Sequence, residues 1–232
     1  MAKRKPVQQS SLVKNNLELI TVKPLTDNQQ HFFDACTQFN HHLLLGSAGV
    51  GKSFLAIYKA LEAINNGTAN KLTIFRSAVA TRDQGFLPGT AEDKMSVFST
   101  PYATIVNKLL HRDDAWGMLT KLGIINFEST SYQRGNTLDN QIVILDEVQN
   151  CTAHEADTII TRSGKNTNLI ICGDLAQQDL TKLSDKGVFK VLNVLRSLPS
   201  FSITEFTTDD IVRSGIVKEY LINKEKYYPS GY

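Results

Sequence analysis

Cysteine is scarce in this chain of 232 residues, which holds only Cys36, Cys151 and Cys172. An odd number at such wide spacing builds neither a disulfide framework nor a zinc site, so the thiols are expected to be buried and reduced. No apolar run approaches the ~20 residues that cross a bilayer, so no membrane span is expected. Charge of one sign is also lacking: 25 Lys and Arg against 23 Asp and Glu leave a formal +2, which argues neither for nor against a polyanionic partner. The basic start Lys3-Arg4-Lys5 runs into polar Gln8, Gln9, Ser10 and Ser11 rather than an apolar stretch. No secretory leader is therefore expected, and the cytoplasm is the expected location. No repeat, low-complexity tract or nuclease signature stands out.

What is there suits one α/β domain. The length fits a single core, and 41% hydrophobic with 21% charged residues describes a globular protein. Residues 1–16 carry Lys3, Arg4, Lys5 and Lys14 before the first acid, Glu18, and read as a flexible basic arm. Residues 17–232 read as one domain. Short apolar runs recur at Leu43–Leu45, Leu72–Phe75, Ile142–Leu145, Leu169–Cys172 and Phe201–Ile203, with helical spacing between most of them, as at Phe54–Asn65, Ala153–Arg162 and Val188–Leu198. Such alternation predicts a mostly parallel sheet with helices on both faces. The span 81–140 is less regular and reads as an insertion on the sheet's rim, where sites form.

Three strings carry chemistry. The first is Gly46, Ser47, Ala48, Gly49, Val50, Gly51, Lys52 and Ser53, a G-x-x-x-x-G-K-[ST] loop between an apolar run and a helical stretch that begins at Phe54. Its glycines let successive backbone N–H groups turn inward on phosphates, the helix N-terminus adds its positive end, Lys52 supplies a cation, and Ser53 offers a hydroxyl to Mg²⁺. The second is Ile142-Val143-Ile144-Leu145 followed by Asp146 and Glu147. Asp146 at the end of a buried strand is placed to hold Mg²⁺, and Glu147 to take a proton from the attacking water. A small-molecule kinase has no need of that second acid. The third is Leu169-Ile170-Ile171-Cys172 followed by Gly173, Asp174 and Gln177. Gln177 is a candidate sensor of the γ-phosphate, since an amide both donates and accepts, and Asp174 a candidate for the metal shell.

With these in place the chain resembles the PhoH-like P-loop ATPases, relatives of the superfamily 1 helicase core, over roughly Thr26 to Tyr220. The matching strings are Asn28-Gln29, Gly85-Phe86-Leu87-Pro88-Gly89, Pro101-Tyr102, Tyr132-Gln133-Arg134-Gly135 with Thr137-Leu138, Leu145-Asp146-Glu147-Val148-Gln149-Asn150, Thr161-Arg162-Ser163-Gly164, Gly173-Asp174 with Gln177 and Asp179-Leu180, and Asp210-Ile211-Val212-Arg213. The pattern departs at Ser77–Asp83, Asn136 and Ile105, all around the 81–140 span. The resemblance implies a RecA-like domain that binds and hydrolyses ATP, with Gln29 reading the adenine edge, and a role on RNA or other single strands.

The nucleotide-contact set is thus Gln29 with residues Gly46 to Phe54, the metal set Ser53 and Asp146, and the catalytic set Lys52, Glu147, Gln177, Arg213 and Arg162. The two arginines are candidates for the cation that γ-phosphate transfer needs. A chain too short for a second motor domain takes that cation locally or from a neighbour, so a homo-oligomer, a ring with arginine supplied in trans, is expected. Arg76, Arg82, Lys94, Lys108, Arg112, Lys121 and Arg134, with Phe86, Phe98, Tyr102, Trp116 and Tyr132 among them, suit phosphate contacts and base stacking on a single strand, RNA favoured. The reading from another class is a nucleotide-gated oligomeric binding module with incidental ATP turnover.

Overall fold

The computed structural model describes residues 17–77, 91–130, 137–174 and 187–227, the side chains of 91–95 and 225–226 excepted. Outside it lie the basic arm, the string at 85–89, Arg82, Tyr132, Arg134 and Gln177. Among the described residues the order is α1 (Asp27–Ala35), β1 (His41–Leu45), α2 (Lys52–Asn65), β2 (Leu72–Arg76), α3 (Ala91–Leu109), α4 (Ala115–Lys121), β3 (Ile125–Ser129), β4 (Ile142–Asp146), α5 (Ala153–Thr161), β5 (Asn168–Gly173), α6 (Gly187–Ser197), β6 (Phe201–Glu205) and α7 (Gly215–Tyr227).

The six strands form one sheet in the order β3-β2-β4-β5-β1-β6, and every pairing is parallel. Five of the strands are the apolar runs read from the sequence. Strands covered on both faces need no polar alternation, and β4 is buried at all five positions. The sixth, β3, lies inside the 81–140 span, which therefore supplies an edge strand as well as helices.

Two apolar layers flank the sheet. Leu44, Ile74, Ile144, Ile170 and Cys172 face one way, toward Phe32 of α1, Leu55 and Ile64 of α2, Val106 of α3 and Leu119 of α4. Leu43, Leu45, Val143, Leu145 and Ile171 face the other, toward Ile159 of α5 and Leu192 of α6. This is the α/β, RecA-like P-loop arrangement expected, with helices on both faces. Cys151 and Cys172 are buried and Cys36 half-buried, all three free thiols. Burial lifts the Cys36 thiol to about 12 and those of Cys151 and Cys172 far above the usual range, so they remain protonated and inert. No described helix is long and apolar enough to cross a membrane.

Local signals set the helix starts. The Thr26 side chain accepts from the Gln29 N–H at the head of α1, and Thr152 and Glu155 form a reciprocal capping box at the head of α5. The register then aligns the carboxyl ends of four neighbouring strands: Leu45 pairs with Gly173, Leu145 with Ile171 and Arg76 with Asp146. The carboxyl ends of β1, β5 and β4 lie side by side, where open parallel sheets place ligands.

Candidate nucleotide site

The phosphate loop leaves β1 at Gly46, whose N–H donates to the Gly173 carbonyl at 3.1 Å. Gly46 has φ +151°, and a Cβ there would sit 2.6 Å from the Phe206 Cβ and 2.7 Å from its carbonyl oxygen, so only glycine fits. Among the described residues the amides of Ser47 to Gly51 donate to no backbone carbonyl, which leaves them for an anion at the start of α2. The Lys52 Nζ donates to the carbonyls of Gly46 at 2.7 Å and Ser47 at 2.8 Å, closing over the loop. The Val50 side chain is wholly buried, and Phe54 packs partly into the core under Lys108, so these two offer the site their backbone.

Phosphate loop and acid pair meet directly. The Ser53 hydroxyl donates to Asp146 Oδ2 at 2.8 Å, although 93 residues separate them. A hydroxyl and a carboxylate side by side beneath a phosphate loop are hard oxygen donors of the kind Mg²⁺ takes, so these residues fit that ion. The same Oδ2 accepts a second hydroxyl, Tyr102 Oη, at 2.8 Å. That corrects the reading of Tyr102 as a base-stacking platform: its ring is 2% exposed and faces the core. Trp116 also packs partly against the core.

Glu147 follows the strand in the left-handed region, φ +53°, where a non-glycine residue is strained. Burial, and then the Asp146 charge, raise its carboxyl above the usual range, against the pull of Arg76. Gln149, 2% exposed, donates its amide to Glu147 Oε2 and accepts the Asp174 N–H at 2.9 Å. It thus ties the acid pair to the exit of β5. In the sequence this glutamine stands within a family-matching string, and nothing local marks its role.

Gln29 is buried. Its Oε1 accepts from the Leu25 N–H at 2.9 Å and its Nε2 donates to the Val50 carbonyl at 3.1 Å, so its amide braces the phosphate loop. On the next loop carbonyl, Gly49, the Val212 N–H bonds at 3.2 Å. A Cβ on Gly49 would lie 3.0 Å from the Cγ of Arg213, so the Arg213 stem runs beside its own phosphate loop. Asp210 anchors this segment. It accepts from Asn28 Nδ2 at 2.7 Å and the Thr207 N–H at 2.8 Å. Burial would raise its carboxyl, and hydrogen bonds from Thr26, Asn28 and Thr207 outweigh burial and hold it low.

Arg162 lies elsewhere. It caps the carboxyl end of α5, its carbonyl accepts the Leu138 N–H, and Leu138 pairs with Ser163 just before β4 begins. That is the amino-terminal edge of the sheet, opposite the chain's own phosphate loop. Lys108, Arg112 and Lys121 are exposed on or beside α3 and α4, with Arg112 paired to Asp114.

The chain is similar to known proteins over most of its length. The profile described as "PhoH-like protein" matches residues 21–223. A PhoH-like protein of Bacillus subtilis is 31% identical over 210 residues, 90% of this chain and 66% of its own. One of Mycobacterium tuberculosis is 30% identical over 212 residues, 91% of this chain and 60% of its own. Protein PhoH of Escherichia coli K12 is 28% identical over 217 residues, 93% and 61%. The chain therefore spans about 60–66% of the length of these relatives. Among solved structures, a Bacteroides Pif1 bound to ssDNA overlays with a TM-score of 0.42 at 15% identity, covering 89% of this chain and 47% of that one.

Proposed function

The chain belongs to the PhoH-like protein family, a family of P-loop proteins, and from that premise we propose that it is a Mg²⁺-dependent ATPase whose turnover is coupled to single-stranded nucleic acid, RNA favoured. The observation that carries the reading is the Ser53–Asp146 hydrogen bond beneath the loop, with Glu147 next to it. That join brings phosphate-binding amides, a hard-cation pair and a water-activating carboxylate to one edge of the sheet. Residues 17–232 act as one domain in this reading.

Each residue has a task. The loop amides and the Lys52 ammonium, turned from the carbonyls of Gly46 and Ser47, take the β- and γ-phosphates. Ser53 and Asp146 would hold Mg²⁺, which would supply positive charge against the charge that develops on the phosphates. Glu147 accepts the proton of the attacking water; burial makes its carboxylate a stronger base than an exposed glutamate. Gln149 fixes its direction. Gln177, outside the described residues, senses the γ-phosphate. Gln29, braced between Leu25 and Val50, links that support to the adenine edge. Arg213 supplies the transfer cation, and its place beside Gly49 favours its own chain over a neighbour's. Lys108, Arg112 and Lys121 are the nucleic-acid contacts among the described residues. The choice of RNA rests on the family resemblance.

The test is steady-state ATP hydrolysis with and without single-stranded RNA and DNA of equal length, with Glu147→Gln alongside. RNA should stimulate more than DNA, and the variant should bind ATP while losing turnover about 10²–10⁴-fold. Normal turnover by the variant would remove Glu147 as the base. Hydrolysis indifferent to both polymers would reassign the protein as a nucleotide-gated binding module.

A further inference from the structure

We propose that Tyr102 is a positioning residue for the metal-holding carboxylate, an inference that rests on the reading of Ser53 and Asp146 as the Mg²⁺ pair. The core does not call for a hydroxyl at this position. Tyr102 faces the layer formed by Leu44, Ile74, Ile144 and Val106, where a phenylalanine would pack as well, and its ring lies 5.3 Å from that of Phe127. The hydroxyl instead goes to Asp146 Oδ2, the atom that also takes the Ser53 hydroxyl.

Two donors on one carboxylate oxygen occupy both of its lone pairs. They reach it from different elements, Ser53 from α2 and Tyr102 from α3, so the carboxylate cannot turn about its Cβ–Cγ bond without breaking one of them. Oδ1 is the oxygen left to face a metal ion or its water. A buried hydrogen bond to an ionised carboxylate is the strong kind, and outer groups that orient a metal ligand typically carry 10–100-fold in metal affinity. Tyr102 therefore sets how tightly the site holds its ion and touches neither nucleotide nor ion. It also fastens α3, the long helix of the 81–140 span, to the metal carboxylate.

The experiment titrates Mn²⁺ into the full chain with saturating ADP, reading free ion by electron paramagnetic resonance, for the parent, Tyr102→Phe, Ser53→Ala and Phe127→Leu. Tyr102→Phe keeps the ring and its neighbour. It should weaken Mn²⁺ binding 10–100-fold and leave ADP affinity measured in chelator unchanged. The Mg²⁺ concentration for half-maximal turnover should rise with it, and kcat should recover at saturation. Phe127→Leu, which loosens the ring and keeps the hydroxyl, should give a smaller loss in the same direction and stands in should Tyr102→Phe fold poorly. Weakening in Ser53→Ala with parent-like affinity in Tyr102→Phe would make Tyr102 a packing residue and overturn the proposal alone. Parent-like affinity in Ser53→Ala would overturn the metal reading and the proposal with it.

Discussion

His42 is the second residue of β1, 4% exposed, set edge-on against Phe32 at 5.3 Å in a layer of aliphatic side chains. Burial pushes its imidazole down from 6.5 to about 4 against the opposing pull of the Phe39 carbonyl, and His41 and Lys59 add smaller downward pushes. The folded chain thus refuses a proton that the unfolded chain takes below about pH 6.5. The sign follows: stability is unaffected above that pH, falls as pH drops from about 6.5 to about 4, and levels off below. At about 1.4 kcal/mol per pH unit the loss reaches about 3 kcal/mol. His42→Leu removes the titration, so urea unfolding from pH 7 to pH 4 should show a correspondingly smaller loss than the parent. An equal loss in both would place the imidazole's charge elsewhere. Gly46 is the other single position with a large consequence. Its missing Cβ would meet the Phe206 backbone at 2.7 Å, so Gly46→Ala should cost about 1–3 kcal/mol in unfolding and displace the loop's first amides. Nucleotide affinity should fall with stability, which equilibrium titration of ADP would record.

At the scale of elements, the phosphate loop is held from two sides by segments far apart in the chain. Gln29 of α1 takes the Val50 carbonyl, Val212 takes the Gly49 carbonyl, and Asp210 joins the two segments through Asn28. Asp210→Ala removes the shared acceptor and leaves the Asn28 amide and the Thr207 N–H without it. It should cost about 2–3 kcal/mol, against about 1 kcal/mol for Asn28→Ala. Loss of ADP affinity should follow the same order if the clasp pre-sets the loop; unchanged affinity in a destabilised Asp210→Ala would confine the clasp to folding. The same elements show what sequence carries. Strands β1, β2, β4 and β5 were legible because burial on both faces makes them near-continuous apolar runs, and β6, at one edge of the sheet, because Phe201 and Ile203 follow a regular helical stretch. Edge strand β3, Ile125-Asn126-Phe127-Glu128-Ser129, alternates instead, and within an irregular span its period of two passed unread. The phosphate loop and the acid pair were legible because their spacing is local. The contacts of Tyr102 with Asp146, Gln149 with Asp174 and Asn28 with Asp210 span 44, 25 and 182 residues, and only the folded sheet brings them together.

For the whole molecule the question is whether one chain completes the site. The phosphate loop, the Ser53–Asp146 pair and Glu147 gather at the carboxyl ends of β1 and β4, and Arg213 runs beside Gly49 of the same chain. Arg162 stands at the opposite edge of the sheet and could reach only a neighbour's site. The two arginines therefore predict different assemblies, and mixing separates them. Arg213→Ala should lose about 10³-fold or more in kcat, the cost of an absent transfer cation. Lys52→Ala should lose phosphate binding while keeping both arginines. If the cation is Arg213 of the same chain, no mixture of these two inactive proteins gains activity over their sum, because each polypeptide lacks one part of its own site. Specific activity of the parent should then be constant over a hundredfold dilution. Recovered hydrolysis in that mixture would move Arg213 to a subunit boundary and restore the ring. Recovery only when Arg162→Ala is mixed with Lys52→Ala would give the trans role to Arg162, leaving Arg213 to buttress the phosphate loop.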